Sequence, residues 1–183
     1  MRLFTAIDPP EAVVNAMSQL VADLKPLARL AWSPRRNWHI TTRFIGEWPE
    51  SRLDELRRAL DNITRREPFP TSVRGLGFFP NGRAPRVFWA GIEAGPELAG
   101  LARDTDAAVV RLGGAADDKP YSPHLTLGRN RDGVSLSRLQ QRVATLGECD
   151  LGTFTASSFH LYLSETAPGG SIYTQLAEFP FHP

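Results

Sequence analysis

The chain is short of cysteine, of net charge and of long apolar runs, and each shortage removes a class of protein. Cys149 is the only cysteine in 183 residues, so neither an intrachain disulfide nor a Cys-based zinc site can be built. On its own that residue reads as a small buried side chain. The net charge is +1, so bulk charge does not attract nucleic acid, and any RNA or DNA contact has to come from a local basic patch. The opening stretch, MRLFTAIDPPEAVV, has one short apolar run broken by Asp8 and two prolines. It suits neither a secretion signal nor a spanning helix, so a cytoplasmic protein with no membrane partner is expected. The carboxylate clusters of a two-metal site are missing as well.

What is present is an ordinary globular composition, 42% hydrophobic and 22% charged, with the length of one domain. Arg2 to Asp8 predicts a first strand. Asp8-Pro9-Pro10-Glu11 predicts a helix start with Asp8 as cap, and Val13, Met17, Leu20, Val21 and Leu24 carry the helix to Pro26. Further helices are expected over Ser51–Arg66, Glu97–Leu112 and Ser135–Leu146. Strands are expected over Trp38–Ile45, Thr71–Phe79, Arg86–Ile92, Pro123–Gly128, Thr153–Leu163 and Ile172–Phe179. The turn chemistry of PNGRAP and TAPGGS makes the later strands hairpins, which points to an α+β fold with mostly antiparallel pairing.

Two of these strands share an unusual pattern, NWHITTRFIG from Asn37 and PHLTLGR from Pro123. Residues two apart in a strand face the same way, so His39, Thr41 and Arg43 should share one face and His124 and Thr126 another. The opposite faces, with Leu125 and Leu127, suit a core. An imidazole titrates near ~6.5, so of two such rings one can accept a proton while the other donates one. A hydroxyl on the same face can hold a phosphoryl oxygen, and Arg43 would add positive charge for a phosphodiester.

These blocks resemble the paired HxTx motifs of the two-histidine phosphoesterase superfamily, and most closely its RNA 2′,3′-cyclic phosphodiesterases, also called 2′-5′ RNA ligases. The likeness runs through MRLFTAID, WSPRRNWHITTRFIGE, PRVFWAGIE, KPYSPHLTLGR and FHLYLSETAPGGSIYTQLAEFP, in the family's order. It implies a bilobal, pseudo-two-fold fold of antiparallel sheets flanked by helices, with residues 1–183 forming one domain of two interleaved lobes around a central cleft. It implies hydrolysis of an RNA 2′,3′-cyclic phosphate end to a 2′-phosphomonoester by a monomer without metal or nucleotide cofactor. His39 would be the proton donor, His124 the proton acceptor, and Thr41 and Thr126 the phosphate holders. The resemblance also implies reversible 2′-5′ ligation, in which the same pair joins such an end to a 5′-hydroxyl. A small cyclic nucleotide or an ADP-ribose cyclic phosphate as substrate, or a non-catalytic module binding RNA ends, are the alternative readings.

Other residues near the motifs carry weaker expectations. Arg129 ends the second motif, but strict alternation places it opposite His124 unless the strand bulges or ends there. Tyr121 is the best candidate to stack on a base, whereas Trp32 and Phe44 read as core. Arg35, Arg36, Arg83 and Arg86 could form a basic rim. His160 and His182 lack a following Thr and read as structural.

Overall fold

The computed structural model describes residues 1–183. The chain forms nine strands and four α-helices. The strands are β1 (Arg2–Ile7), β2 (Ala31–Trp32), β3 (Ile40–Glu47), β4 (Phe69–Phe79), β5 (Val87–Ala94), β6 (His124–Arg129), β7 (Asp150–Ala156), β8 (Ser158–Ala167) and β9 (Gly170–Pro180). The helices are α1 (Glu11–Leu24), α2 (Leu53–Asp61), α3 (Pro96–Arg111) and α4 (Ser137–Leu146). One sheet runs β3-β1-β8-β9 and the other β2-β6-β5-β4-β7, with every pairing antiparallel. The fold is therefore α+β, and each sheet takes strands from both halves of the sequence.

The apolar stripes explain how helices and sheets meet. In α1, Val13, Val14, Met17, Val21 and Leu24 are buried, and the helix packs on β7. Leu56 and Leu60 do the same for α2, which packs on α3, while α3 covers β3. These faces join a single core of 31 buried residues that spans both sheets. No helix is long and apolar enough to cross a membrane.

Three local expectations need correction. Asp8 does not cap α1: Pro10 occupies that position without a side-chain bond, and the Asp8 carboxylate instead accepts the Tyr162 hydroxyl. The second helix stops at Asp61 rather than Arg66, where Thr64 turns its hydroxyl back onto the Asp61 carbonyl at 2.7 Å. The single strand expected over Thr153–Leu163 is two. Ala156 pairs with Phe69 in one sheet and Ser158 with Pro180 in the other, so the chain changes sheets at Ser157. A strand can cross between packed sheets at one residue without Gly or Pro, so no turn signal marks the point.

Candidate active site

β3 and β6 belong to different sheets, and the start of each borders the same cleft of about 240 Å³. His39, Thr41, His124 and Thr126 all line it, as alternation along the two strands requires. Both histidines bond to the backbone. His124 places Nδ1 2.8 Å from the Ser122 carbonyl, and His39 has a backbone hydrogen bond with Asn37, in each case two residues upstream. A ring whose Nδ1–H donates to a carbonyl leaves Nε2 as the nitrogen free to exchange a proton.

Their surroundings differ. His39 stacks on Phe4 with ring centroids 4.7 Å apart, and Tyr173 meets it edge-on at 5.2 Å. His124 has one aromatic neighbour, Phe79, edge-on at 5.1 Å. Burial in the aromatic slot lowers the His39 pKa to about 4; the Asn37 backbone bond opposes the shift and the charge of His124 adds to it. Without an anion beside it, His39 is neutral at physiological pH.

A stability consequence follows with a definite sign. The unfolded chain binds the His39 proton near 6.5 and the folded chain only near 4, so the unfolded state holds more protons between those values. The contribution is complete above pH 6.5 and is lost as the pH falls towards 4. His39→Gln is expected to flatten the fall in urea midpoint between pH 7 and pH 4 relative to the wild type. Parallel curves for the two proteins would contradict this assignment.

Beyond the threonines, both strands depart from alternation in the same way. β3 slips against β1 between the Thr5–Arg43 and Ala6–Thr41 pairs, which makes Thr42 an extra residue. Thr42 and Arg43 therefore both turn inward. The Thr42 hydroxyl bonds that of Thr5 at 2.7 Å, and Arg43 is only 8% exposed. Arg43 Nε donates to Asp106 at 2.7 Å, its terminal nitrogens donate to the carbonyls of Phe44 and Ala115, and Asp117 lies 3.7 Å away. Arg43 thus leaves the face of His39 that alternation assigned it. Phe44 takes the position instead, 60% exposed and lining the cleft, contrary to the core reading.

In β6 the pairing with β5 slips between Phe88–Gly128 and Trp89–Thr126, so Leu127 is the extra residue and Leu127 and Gly128 are both buried. Arg129 consequently faces the cleft, which meets the condition that a bulge would impose. The third residue after each threonine, Phe44 on one side and Arg129 on the other, returns to the cleft.

The remaining expected residues divide. Tyr121 does not line the cleft; its ring packs at the margin of the core and its hydroxyl donates to the Thr41 carbonyl at 3.0 Å. Burial pushes its phenol pKa up, so it stays a donor. Trp32 lines the cleft while also meeting Phe88 edge-on at 6.0 Å, and Trp38 is buried. Arg35 is engaged by Glu11 and Ser18 and Arg36 is exposed, neither of them in the cleft. His160 lies between Asp8, at 3.2 Å, and Glu178, at 3.7 Å, outside the cleft. His182 is 3.2 Å from the Thr64 hydroxyl. Both fit the structural reading. Cys149 is half-buried.

Sequence reasoning missed Asn37, Arg131, Ser171 and Tyr173, which complete the wall. Asn37 donates to the Ser171 carbonyl at 2.8 Å and so ties the β8–β9 turn to the first motif. The TAPGGS turn was legible in sequence, but its arrival beside His39 depends on β8 pairing with β1.

Comparison with known proteins bears on the same residues. The sequence pattern of the family described as LigT like Phosphoesterase matches residues 7–89 and 92–173, and each span contains one His-x-Thr. An RNA 2′,3′-cyclic phosphodiesterase of Methanothermobacter thermautotrophicus is 32% identical over 181 residues, which cover 98% of each chain. One from Methanocaldococcus jannaschii is 31% identical over 98% of this chain and all of its own. A Thermus thermophilus crystal structure superposes with a TM-score of 0.85 at 30% identity, covering 99% of this chain and 98% of that one. With both motifs inside the matched spans and the architecture shared from end to end, the chain belongs to the LigT-like phosphoesterase family.

Proposed function

We propose that the protein hydrolyses RNA 2′,3′-cyclic phosphate ends to 2′-phosphomonoesters, with the two histidines as acid and base. The observation that carries this reading is the pair of His-x-Thr strands from separate sheets lining one cleft. In the forward reaction His124 Nε2 takes a proton from water as its oxygen attacks phosphorus. The bond from phosphorus to O3′ breaks, and His39 protonates the departing oxygen. Thr41 and Thr126 donate to the non-bridging oxygens, and Arg129 offsets their charge. Solvent resets the two rings for the next turnover. With a 5′-hydroxyl in place of water as the attacking group, the same transfers in the same direction form a 2′-5′ linkage, and run backwards they cleave it. In this reading residues 1–183 are one domain of two interleaved lobes.

The low pKa of His39 supports an order of events. A neutral ring cannot be an acid, but an anionic phosphodiester beside it favours the charged form. Substrate thus loads the acid, and two imidazolium rings never have to face each other before it arrives. No group of three or more His, Cys, Asp or Glu side chains gathers where a metal could be held. The purified protein in excess EDTA is expected to convert an oligonucleotide 2′,3′-cyclic phosphate wholly to the 2′-phosphate, read by phosphorus NMR. A 3′-phosphate product, or activity abolished by EDTA and restored by a divalent metal, would overturn the mechanism.

A further inference from the structure

Beside the cleft lies a second cavity of about 440 Å³, lined by Arg83, Arg86, Asn130, Arg131 and Asp132 among others. Arg131 lines both cavities, so the two are neighbours. Arg83, Arg86, Arg129 and Arg131 are exposed with no carboxylate within 4.0 Å, as are six arginines elsewhere on the surface, but only these four gather along the cleft and the second cavity. The one carboxylate in the groove, Asp132, has Arg29 at 3.9 Å as an offsetting charge. Uncompensated guanidiniums thus border both the cleft and the second cavity.

The groove is also held in shape from beneath. Asn130 is only 5% exposed, and its side-chain amide donates to the carbonyls of Pro85, at 3.1 Å, and Val134, at 2.9 Å. Its side-chain oxygen accepts the Val134 N–H at 3.1 Å, and its own N–H donates to the Arg86 carbonyl at 2.8 Å. One buried side chain thereby joins the loop carrying Arg83 and Arg86 to the loop carrying Arg131. Gln140 of α4 adds a bond to the Gly82 carbonyl at 2.9 Å. These bonds fix the spacing of the walls in advance, so little ordering cost falls on binding.

We propose that this groove is a subsite for the phosphodiester backbone on the 5′ side of the reacting end. The inference rests on the activity proposed above. A terminal 2′,3′-cyclic phosphate leaves its nucleotide one continuing direction, through the 5′ oxygen, and the chain must leave the cleft over a wall. The β8–β9 turn, latched by Asn37, forms part of that wall, and Arg129 and Arg131 form another part, with Arg83 and Arg86 in the adjoining groove. Guanidiniums recognise phosphates without reading bases, so the subsite confers length preference rather than sequence preference. It also answers the question that a net charge of +1 raises, since the attraction is local.

The test compares the wild type with the Arg83→Gln/Arg86→Gln double variant on a mononucleotide 2′,3′-cyclic phosphate and on oligomers of increasing length. The wild type is expected to gain kcat/KM with length. The variant should lose on the order of tenfold on the oligomer, mainly in KM, while matching the wild type on the mononucleotide. Fluorescence anisotropy with an oligomer ending in a 2′-phosphate supplies a readout independent of turnover. There the slope of log affinity against log salt should shrink by about 1.4, because two phosphates of a single strand are no longer neutralised. Equal rates on mononucleotide and oligomer in the wild type would overturn the subsite while leaving the phosphodiesterase reading intact. An unchanged salt slope in the variant, or a loss as large on the mononucleotide, would do the same.

Discussion

Replacing His124 by alanine is expected to lower turnover of a 2′,3′-cyclic phosphate end by ~10²–10⁴-fold, the scale of a lost general base. The loss should fall in kcat more than in KM, because the proton transfer exists only in the transition state. Little stability should go with it, since the His124 ring is half-buried with one aromatic neighbour. His39 needs a gentler substitution, because its ring fills a slot between Phe4 and Tyr173 and alanine would leave a hole there. His39→Gln keeps most of the volume and should cost a similar factor. The double variant is the more searching measurement. Groups that act as a unit give non-additive losses, so it should be little slower than the worse single variant. Two losses that multiply would mean that the rings act separately, and the paired acid–base scheme would fall.

Arg43 should behave in the opposite manner. It is a buried cation whose nitrogens are shared among Asp106, Asp117 and two backbone carbonyls, and it does not line the cleft. Breaking a buried ion pair from one side costs about 3–5 kcal/mol, and because both aspartates keep some access to water the lower end applies here. Arg43→Ala should therefore lower the melting temperature by roughly 6–12 °C, on the scale for a chain of this length. Arg43→Lys should recover only part, since an ammonium cannot reproduce the planar fork. Well below its melting temperature the variant should keep most of its kcat. A variant of normal stability and poor KM would return Arg43 to the cleft face that plain alternation assigns it.

The contrast between these residues marks what could be read in advance and what could not. His39, Thr41, His124 and Thr126 were legible because residue type and a spacing of two are local properties, and both survive folding unchanged. The α+β class was legible for the same reason, from apolar periods and turn residues. The bulges were not. Thr42 and Leu127 are extra residues only relative to β1 and β5, and a slip against a partner strand leaves no trace in the bulged strand's own sequence. One uncounted residue reverses every later facing, which exchanged Arg43 for Phe44 and admitted Arg129. Tyr121 failed differently. An aromatic beside a motif looks available for stacking, but its hydroxyl found the Thr41 carbonyl on β3.

The pairing of β1 with β8 has a bearing on how the molecule is made. Residues 2–6 hydrogen-bond with residues 160–164, and the aromatic slot around His39 includes Tyr162 and Tyr173. During synthesis, the first motif therefore emerges from the ribosome long before the strands that close its surroundings. Pairings this far apart in sequence slow folding and leave the edge of β1 unpaired in the interval. The nascent chain should remain silent towards RNA ends until its final hairpin docks, so activity itself reports that the last strand has been placed.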